Sequence, residues 1–276
     1  MNLQFASINS GSNGNCYYIG NGTQGILIDV GISAKVVVDR LNSLGVSMDS
    51  IQGIFISHEH SDHIKGLDIL CKRYQIPVYF SERTYQNSRV LSSYQDIVFF
   101  KHGDRIQIAD LEVYCFNKVH DAVDPFSFTI SCQDKTVGVF TDIGAVCSEL
   151  KEQFRKCDVV FLESNYDHDM LINSQYPYHL KNRIMGGRGH LSNAQALQLF
   201  ISERSPRLAY LFLSHLSKNN NCPDLALELF KSYAGNTHIE VASRDCCSNL
   251  FLLEDNKGVE DLSWKLETWK YQIELF

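Results

Sequence analysis

The sequence lacks the features that mark membrane-embedded, disulfide-stabilised and secreted proteins. In 276 residues, no apolar run approaches the roughly 18 residues that span a bilayer. Nine cysteines are present but none form a C-x-x-C pair, so reduced thiols are expected rather than a zinc ribbon or a disulfide framework. The first five residues have neither the basic start nor the apolar core of a signal peptide. We therefore expect a cytoplasmic protein without membrane association.

An excess of basic residues is also missing. Lys and Arg number 25 against 32 Asp and Glu, a net charge of −7, which argues against nucleic-acid binding driven by bulk charge but leaves room for a local basic groove. A composition of 44% hydrophobic and 21% charged residues is that of a folded globular chain. Because no Pro-, Ser- or Gly-rich linker divides the chain, we predict a single domain over residues 1–276 with an extension from about residue 255.

Short runs rich in Val, Ile, Tyr and Phe alternate with helical segments, which predicts an α/β fold. The helices are expected at residues 34–44, 193–203 and 224–233, after the N-terminal signals Ser33, Ser192 and Pro223. The pairs at 17–18 and 99–100 are interpreted as core strand residues rather than base-stacking platforms. Residues 262–276 alternate in part and predict an edge strand. The predicted strands are 3–8, 16–19, 26–30, 54–57, 78–80, 111–119, 126–132, 137–141, 159–163, 208–214 and 239–242.

The segment Ser-His-Glu-His-Ser-Asp-His at residues 57–63 carries the strongest chemical signal. His58 and His60 are two positions apart at the end of a predicted strand, so their imidazoles point the same way. Asp62 and His63 follow where the chain turns towards a helix. Three imidazoles and one carboxylate are donors suited to Zn²⁺ or Mn²⁺, whereas the alternative is a polar surface loop.

Three further residues of the types that bind metal ions follow predicted strands. His120, Asp142 and His215 each come after an apolar run, where loops collect on one rim of a sheet. Each alone is as often structural as functional. Together with the 57–63 segment they make seven donors, enough for two metal ions that share one carboxylate.

This pattern resembles the metallo-β-lactamase superfamily and, within it, the WalJ/YycJ-type bacterial metallo-hydrolases. The resemblance covers about residues 3–253 and implies a four-layer αββα sandwich of two mixed sheets flanked by helices. Relatives of this type are similar to DNA exonucleases of 5′ polarity. The segments that carry the resemblance, besides 57–63, are Ser-Gly-Ser-Asn-Gly-Asn-Cys at 10–16, Val-His-Asp-Ala at 119–122, Thr-Asp-Ile-Gly at 141–144, Leu-Glu-Ser-Asn at 162–165, Gly-His-Leu-Ser-Asn at 189–193 and Ser-His-Leu-Ser at 214–217.

The resemblance implies a centre with two divalent ions, Zn²⁺ or Mn²⁺. One ion would be bound by His58, His60 and His120, and the other by Asp62, His63 and His215, with Asp142 bridging them. Two such ions about 3.5–4 Å apart activate a shared water, and the resulting hydroxide would attack phosphorus in line. Asp62 is predicted to orient that hydroxide as well.

The resemblance also implies roles beyond the metals. Glu163 and His190 match a glutamate–histidine pair of the related transfer-RNA 3′-processing endonucleases, which predicts that His190 donates a proton to the departing oxygen. A structural histidine at a helix start is the alternative. From the chemistry of the residues themselves, the following are expected at the substrate phosphates: Ser12, Asn13, Lys181, Arg183, Arg188 and Asn220. A solvated basic helix end is the alternative for the three basic residues, and turn formation is the alternative for the other three.

The leading prediction is therefore a di-metal phosphodiesterase acting on nucleic acid, DNA rather than RNA. Two alternatives stay open: another hydrolase of the same fold, acting on a thioester, lactone or lactam, and a non-catalytic metal-binding regulator. Some relatives carry a large nucleic-acid clamp before the last motif, but here sandwich elements fill the interval from Asp142 to His215. We therefore expect loops, or a second subunit in a homodimer, to bind the substrate.

Overall fold

The computed structural model describes residues 3–254 and 258–262, and its strands form two sheets. The eight strands of the first sheet are β1 (Leu3–Asn9), β2 (Cys16–Gly20), β3 (Gly25–Ile28), β4 (Ile51–Phe55), β5 (Val78–Ser81), β6 (Ile97–Phe100), β14 (Phe251–Glu254) and β15 (Gly258–Asp261). They lie in the order β15-β14-β1-β2-β3-β4-β5-β6, with β3 to β6 mutually parallel. The first sheet thus has β6 at one edge.

The second sheet has seven strands. These are β7 (Arg105–Ile108), β8 (Leu111–Asn117), β9 (Phe126–Cys132), β10 (Lys135–Phe140), β11 (Val159–Glu163), β12 (Tyr210–Ser214) and β13 (His238–Val241). They lie in the order β13-β12-β11-β10-β9-β8-β7, with β10 to β13 parallel. Both sheets are mixed, as the sequence predicts.

Helices begin where the sequence places capping residues. The Ser33 hydroxyl accepts from Val36 N, and Ser192 forms a reciprocal capping box with Gln195. The helices of the described chain are α1 (Ala34–Ser43), α2 (Ser61–Ile64), α3 (Leu67–Tyr74), α4 (Glu82–Ser88), α5 (Ser148–Phe154), α6 (His168–Asn173), α7 (Tyr178–Met185), α8 (Asn193–Glu203) and α9 (Pro223–Lys231). A 3₁₀ turn at Met48–Ser50 precedes β4.

The buried side chains form three apolar clusters that separate four layers. The middle cluster lies between the sheets and includes Phe5 and Phe55 from the first and Phe161 and Phe212 from the second. The outer clusters join the first sheet to α1 and α3, and the second sheet to α5, α8 and α9. Each fully buried phenylalanine contributes roughly 1.5–3 kcal/mol of burial free energy. The four-layer αββα sandwich is confirmed.

The predicted strands are present with shifts of a few residues; β6 was predicted only at residues 99–100, and three strands were missed: β7, β14 and β15. Of the predicted edge strand at 262–276, only Leu262 is described; it is buried and follows β15, and the rest lies outside the described residues. Tyr17, Tyr18 and Phe100 are buried as expected, but 52% of Phe99 is exposed. Within the described residues, no helix is both long and apolar enough to cross a bilayer.

Candidate metal centre

The first set of candidate ligands combines both sheets. His58 and His60 follow β4, and His120 follows β8 in the facing sheet. Nε2 of His58 lies 3.1 Å from Nδ1 of His60, and the candidate ligand atoms of all three residues lie within 4.8 Å of one another. Three imidazole nitrogens therefore converge on one point, as a first metal ion requires.

The second set surrounds His63. Its Nε2 lies 3.7 Å from Asp62 Oδ2 and 3.2 Å from Asp142 Oδ2, and Nε2 of His215 lies 3.8 Å from the same Asp62 oxygen. The other oxygen of Asp142 lies 3.7 Å from Nε2 of His120, in the first set. This oxygen, Oδ1, also lies 3.3 Å from Nδ1 of His215. Asp142 therefore lies between the two sets and contacts both, and all seven predicted ligands meet in one place.

Some of these ligand atoms are buried and form no hydrogen bond with any other residue of the described chain. Nε2 of His120 and Nε2 of His215 are shielded from solvent and have no hydrogen-bond partner among the described residues. A buried donor or acceptor left in this state costs about 1–3 kcal/mol. A cation among them would remove that cost, so the donor set fits a divalent metal ion.

Burial and neighbouring charges set the protonation of the ligands. Burial lowers the pKa of His120 to about 4, which keeps its imidazole neutral. Burial would raise the pKa of Asp142, but His215 and His63 outweigh it and hold this pKa well below the usual value. Burial would likewise lower the pKa of His63, yet the carboxylates of Asp142 and Asp29 raise it to about 10. The same negative charges attract a cation, which would displace the protons.

Asp29 is a functional residue that the sequence analysis missed. It is fully buried after β3, and its Oδ2 lies 2.7 Å from Nδ1 of His63. The same carboxylate accepts hydrogen bonds from the backbone N and the hydroxyl of Ser57, both at 2.8 Å. It therefore orients His63 so that Nε2 faces the ligand set, as an outer carboxylate does at many metal sites.

Glu163 holds two histidines at once. Its Oε1 lies 2.9 Å from Nδ1 of His190, as predicted, and also 2.9 Å from Nδ1 of His215, which was not predicted. The backbone N–H groups of Ile143 and Leu191 donate to Oε2 at 2.7 and 3.0 Å. Burial would raise the pKa of Glu163, but His190 and His215 outweigh it and lower this pKa to about 2. The ionised Glu163 thus positions a metal ligand and His190 together.

Lys118 is a buried cation beneath the centre. Its Nζ donates to the Thr141 carbonyl at 2.8 Å, directly before Asp142 in the chain. Burial lowers its pKa, against the attraction of Asp142 and Asp29. This burial could not be predicted from the sequence, because a single lysine at a strand end is ordinarily exposed. Its position next to the centre offsets part of the negative charge of the carboxylates.

The loops around Asp62 contact one another at glycine residues, where the backbones approach closely. A Cβ on Gly31 would lie 1.6 Å from the Asp62 carbonyl oxygen, and one on Gly14 would lie 2.5 Å from the Gly31 carbonyl oxygen. Asn15 N donates to the Asp62 carbonyl at 2.8 Å, and Gly31 N donates to the Asn15 carbonyl at 2.8 Å. Backbone contacts of three loops therefore set where Asp62 lies.

Replacing Gly31 by alanine is expected to push the Asp62 loop away. We expect a loss of about 1–3 kcal/mol of unfolding free energy from overpacking, together with weaker metal binding, measured by thermal melts and by metal content. Gly103→Ala is the control, since a Cβ there meets no atom within 4 Å and only its left-handed φ of +87° is strained. Full metal content in Gly31→Ala would contradict this prediction.

The six residues predicted at the substrate phosphates differ in their surroundings. Nζ of Lys181 donates to the carbonyls of Ile172 and Ser174, and Arg183 forms an ion pair with Asp121. The exposed Asn13 donates to the Arg244 carbonyl. Asn220 is buried, with an Oδ1 that has no partner among the described residues. Two members are exposed, and their side chains form no hydrogen bond or ion pair within the described chain: Ser12 and Arg188.

The backbone around Arg188 contacts the first ligand set and the turn after Asp142. The His120 Nδ1 donates to the carbonyl of Gly189 at 2.9 Å, which leaves Nε2 of His120 to face the other ligands. A Cβ on Gly144 would lie 2.4 Å from Arg188 Cα, so the segment before His190 packs tightly on the turn after Asp142. This close approach places the backbone of the exposed Arg188 near the candidate centre.

Comparison with known proteins agrees with this geometry. A beta-lactamase superfamily domain model matches residues 25–212. The chain is 32% identical to exodeoxyribonuclease YycJ of Bacillus anthracis over 82% of this chain and 87% of that protein. It is 32% identical to exodeoxyribonuclease WalJ of Streptococcus pneumoniae strain D39, over 81% and 85%.

Solved structures share the fold. The metallo-beta-lactamase fold protein YhfI of Bacillus subtilis superposes with a TM-score of 0.70 at 16% identity, over 89% of this chain and 99% of that one. The His and Asp cluster is a divalent-metal site in its chemistry, because buried imidazoles and carboxylates converge there with their ligand atoms unpaired. The chain belongs to the beta-lactamase superfamily and, within it, to the family of the YycJ and WalJ exodeoxyribonucleases.

Proposed function

We propose that this protein is a metal-dependent phosphodiesterase that degrades nucleic acid, a 5′-to-3′ DNA exonuclease with two divalent ions, Zn²⁺ or Mn²⁺. The observation that carries the proposal is Asp142, whose Oδ2 lies 3.2 Å from Nε2 of His63 and whose Oδ1 lies 3.7 Å from Nε2 of His120 and 3.3 Å from Nδ1 of His215, so the carboxylate contacts both ligand sets. The 32% identity to two proteins named exodeoxyribonucleases supports the substrate class. We assign His58, His60 and His120 to one ion and Asp62, His63 and His215 to the other.

The chain's own side chains would position the substrate and move its protons. Bound cations supply an activated water and offset charge on a phosphoryl oxygen. Asp62 is 23% exposed, so its carboxylate can orient an attacking water while it contributes to the second set. Ser12 and Arg188 have free polar groups that suit phosphate oxygens, and Asn13, Asn220, Lys181 and Arg183 would join them only by giving up present partners or shifting.

His190 has the geometry of a general acid. Its Nδ1 is held by Glu163, its side chain is 20% exposed, and its Nε2 has no partner within the described chain. In the protonated ring, Nε2 can therefore donate to the departing 3′ oxygen while Glu163 fixes the orientation.

For His190→Ala we expect kcat on DNA to fall by about 10²–10⁴-fold, as for loss of a general acid. The variant should keep its full metal content. Hydrolysis of bis-p-nitrophenyl phosphate should change little, because p-nitrophenolate leaves without a proton. Steady-state kinetics on both substrates, with metal analysis, measure this. An equal loss on both substrates would argue against an acid role.

Digestion of end-labelled nucleic acids tests the proposed function. Single- and double-stranded DNA and RNA, labelled at the 5′ or the 3′ end, would be incubated with Zn²⁺ or Mn²⁺. We expect metal-dependent shortening of DNA from the 5′ end. Uncut nucleic acid, with turnover of a chromogenic cephalosporin, a lactone or a thioester instead, would point to another hydrolase of this fold; no turnover of any substrate would favour a regulator.

A further inference from the structure

A cavity of about 510 Å³ lies beside the metal centre, at the end of β6. The strands β4, β5 and β6 are adjacent and parallel, so their C-terminal ends lie at one edge of the first sheet. Neighbouring strands are about 4.8 Å apart, which places the end of β6 roughly 10 Å across the sheet from the end of β4, where the His58 loop begins. The cavity wall is also tied to that loop, since Phe126 N donates to the Ser57 carbonyl at 2.9 Å.

An exposed aromatic ring lines this cavity. Phe99 is 52% exposed, whereas the next residue, Phe100, is 4% exposed and packs between the sheets. The ring of Tyr85 lies 5.6 Å from that of Phe99, tilted by 58°, so the ring is supported on one side and open on the other. An open aromatic face near a phosphodiester-cleaving centre is a surface on which a nucleobase can stack, with little dependence on sequence.

Unpaired donors surround the ring. The Arg83 guanidinium and the Lys101 ammonium have no side-chain partner within residues 3–254 and 258–262. Nδ1 of His102 accepts a hydrogen bond from Asn117 N at 3.2 Å, so the neutral ring carries its proton on Nε2, a further donor. These are the groups that bind phosphate.

The carboxylates that line the cavity are all engaged locally. Oδ2 of Asp104 accepts from Lys101 N at 2.9 Å, Oδ1 of Asp124 accepts from the Asn117 amide at 3.3 Å, and Oε1 of Glu82 accepts from the Gln86 amide at 3.2 Å. None forms an ion pair with the two free cations. The donors therefore stay available to a ligand, while the acceptors are partly satisfied.

We propose that the Phe99 cavity binds the nucleic-acid strand beyond the cleaved linkage, with a base on Phe99 and a phosphate between Arg83 and Lys101. This inference rests on the proposed function and adds a second point of substrate contact. It also supplies substrate contact outside the interval from Asp142 to His215, which holds only α5, β11, α6, α7, α8 and β12 of the sandwich. A second copy of the chain pairing with the β6 edge would use backbone groups and leave the cations unexplained.

Binding of a fluorescein-labelled ten-residue oligothymidylate tests the proposal without turnover. With EDTA present, anisotropy titrations of the full-length protein give Kd directly. We expect Phe99→Ala to raise Kd about 10-fold, as for loss of one stacked base, and Phe99→Trp to restore it. The double variant Arg83→Gln/Lys101→Gln should lower the slope of log Kd against log salt by about 1.4, as for two lost phosphate contacts on a single strand.

Val98→Ala is the matched control. Val98 is the preceding residue of β6, is 41% exposed and, unlike Phe99, does not line the cavity. It should bind the oligonucleotide as the wild type does. Phe99→Ala should hydrolyse bis-p-nitrophenyl phosphate at the wild-type rate, because that small diester reaches the metal centre without the cavity.

Three results would overturn the inference. The first is an unchanged Kd in Phe99→Ala, and the second is a loss of bis-p-nitrophenyl phosphate turnover in Phe99→Ala as large as the loss of oligonucleotide binding. The third is a shift of Phe99→Ala from dimer to monomer in sedimentation while its DNA binding is unchanged, which would make β6 a contact between copies of the chain. Failure of the proposed function is a different result: the wild type would then leave DNA uncut. The anisotropy titrations still test the inference in that case, because they measure binding without cleavage.

Discussion

Asp142→Asn is expected to lose both metal ions and nearly all activity. The substitution keeps the size of the side chain but replaces the carboxylate that lies 3.2 Å from Nε2 of His63 and 3.7 Å from Nε2 of His120. We expect less than one ion per chain and a fall in DNA hydrolysis of at least about 10³-fold, which corresponds to about 4 kcal/mol of transition-state free energy. Elemental analysis after gel filtration and rates on DNA and bis-p-nitrophenyl phosphate measure both effects.

Asp158→Asn is a suitable control for this experiment. Asp158 is also a mostly buried carboxylate of the second sheet, but it lies before β11, at the opposite end from Glu163, and pairs with Arg207. That variant should keep its metals and its rate, at some cost in stability. Two ions per chain and wild-type turnover in Asp142→Asn would refute a bridging role.

Glu163→Gln is expected to weaken metal binding as well as catalysis. The carboxylate accepts from Nδ1 of both His190 and His215 and from three backbone N–H groups, and an amide would turn an NH₂ group towards some of these donors. We expect metal affinity to fall 10–100-fold, as for loss of an outer partner of a ligand. Unfolding free energy should fall by about 3–5 kcal/mol. Metal titration and thermal melts provide the measurements.

Comparison with His190→Ala makes this prediction specific. If Glu163 served His190 alone, as the sequence resemblance implies, both variants would lose rate and keep wild-type metal affinity. The contact to His215 predicts instead that only Glu163→Gln loses affinity for metal. Identical metal affinities in the two variants would contradict the shared role.

The proposed ligands could be selected from the sequence because they sit at the ends of apolar strands. His120, Asp142 and His215 each follow a buried run, and in a sandwich such ends meet at one edge. Asp29 was missed because it lies inside the apolar run 26–30, where its departure from the strand depends on a left-handed φ of +61°. No periodicity marks a single residue that turns out of its strand to contact His63.

The second histidine on Glu163 could not be predicted for a different reason. His190 and His215 are separated by α8 and β12, so their meeting at one carboxylate is a property of the packed fold. Phe99 shows the same limit. Its apolar run is typical of a core strand, but among the described strands β6 has a neighbour on one side only, and the Phe99 ring is exposed.

The spread of the proposed ligands along the chain has a consequence during synthesis. The loop at 58–63 leaves the ribosome early, on a sheet whose first strand, β1, still lacks its neighbour β14. Asp142 emerges much later and His215 later still. A nascent chain that stops before β12 therefore has no complete pair of ligand sets. The proposed centre can assemble only after β12 and His215 have been synthesised.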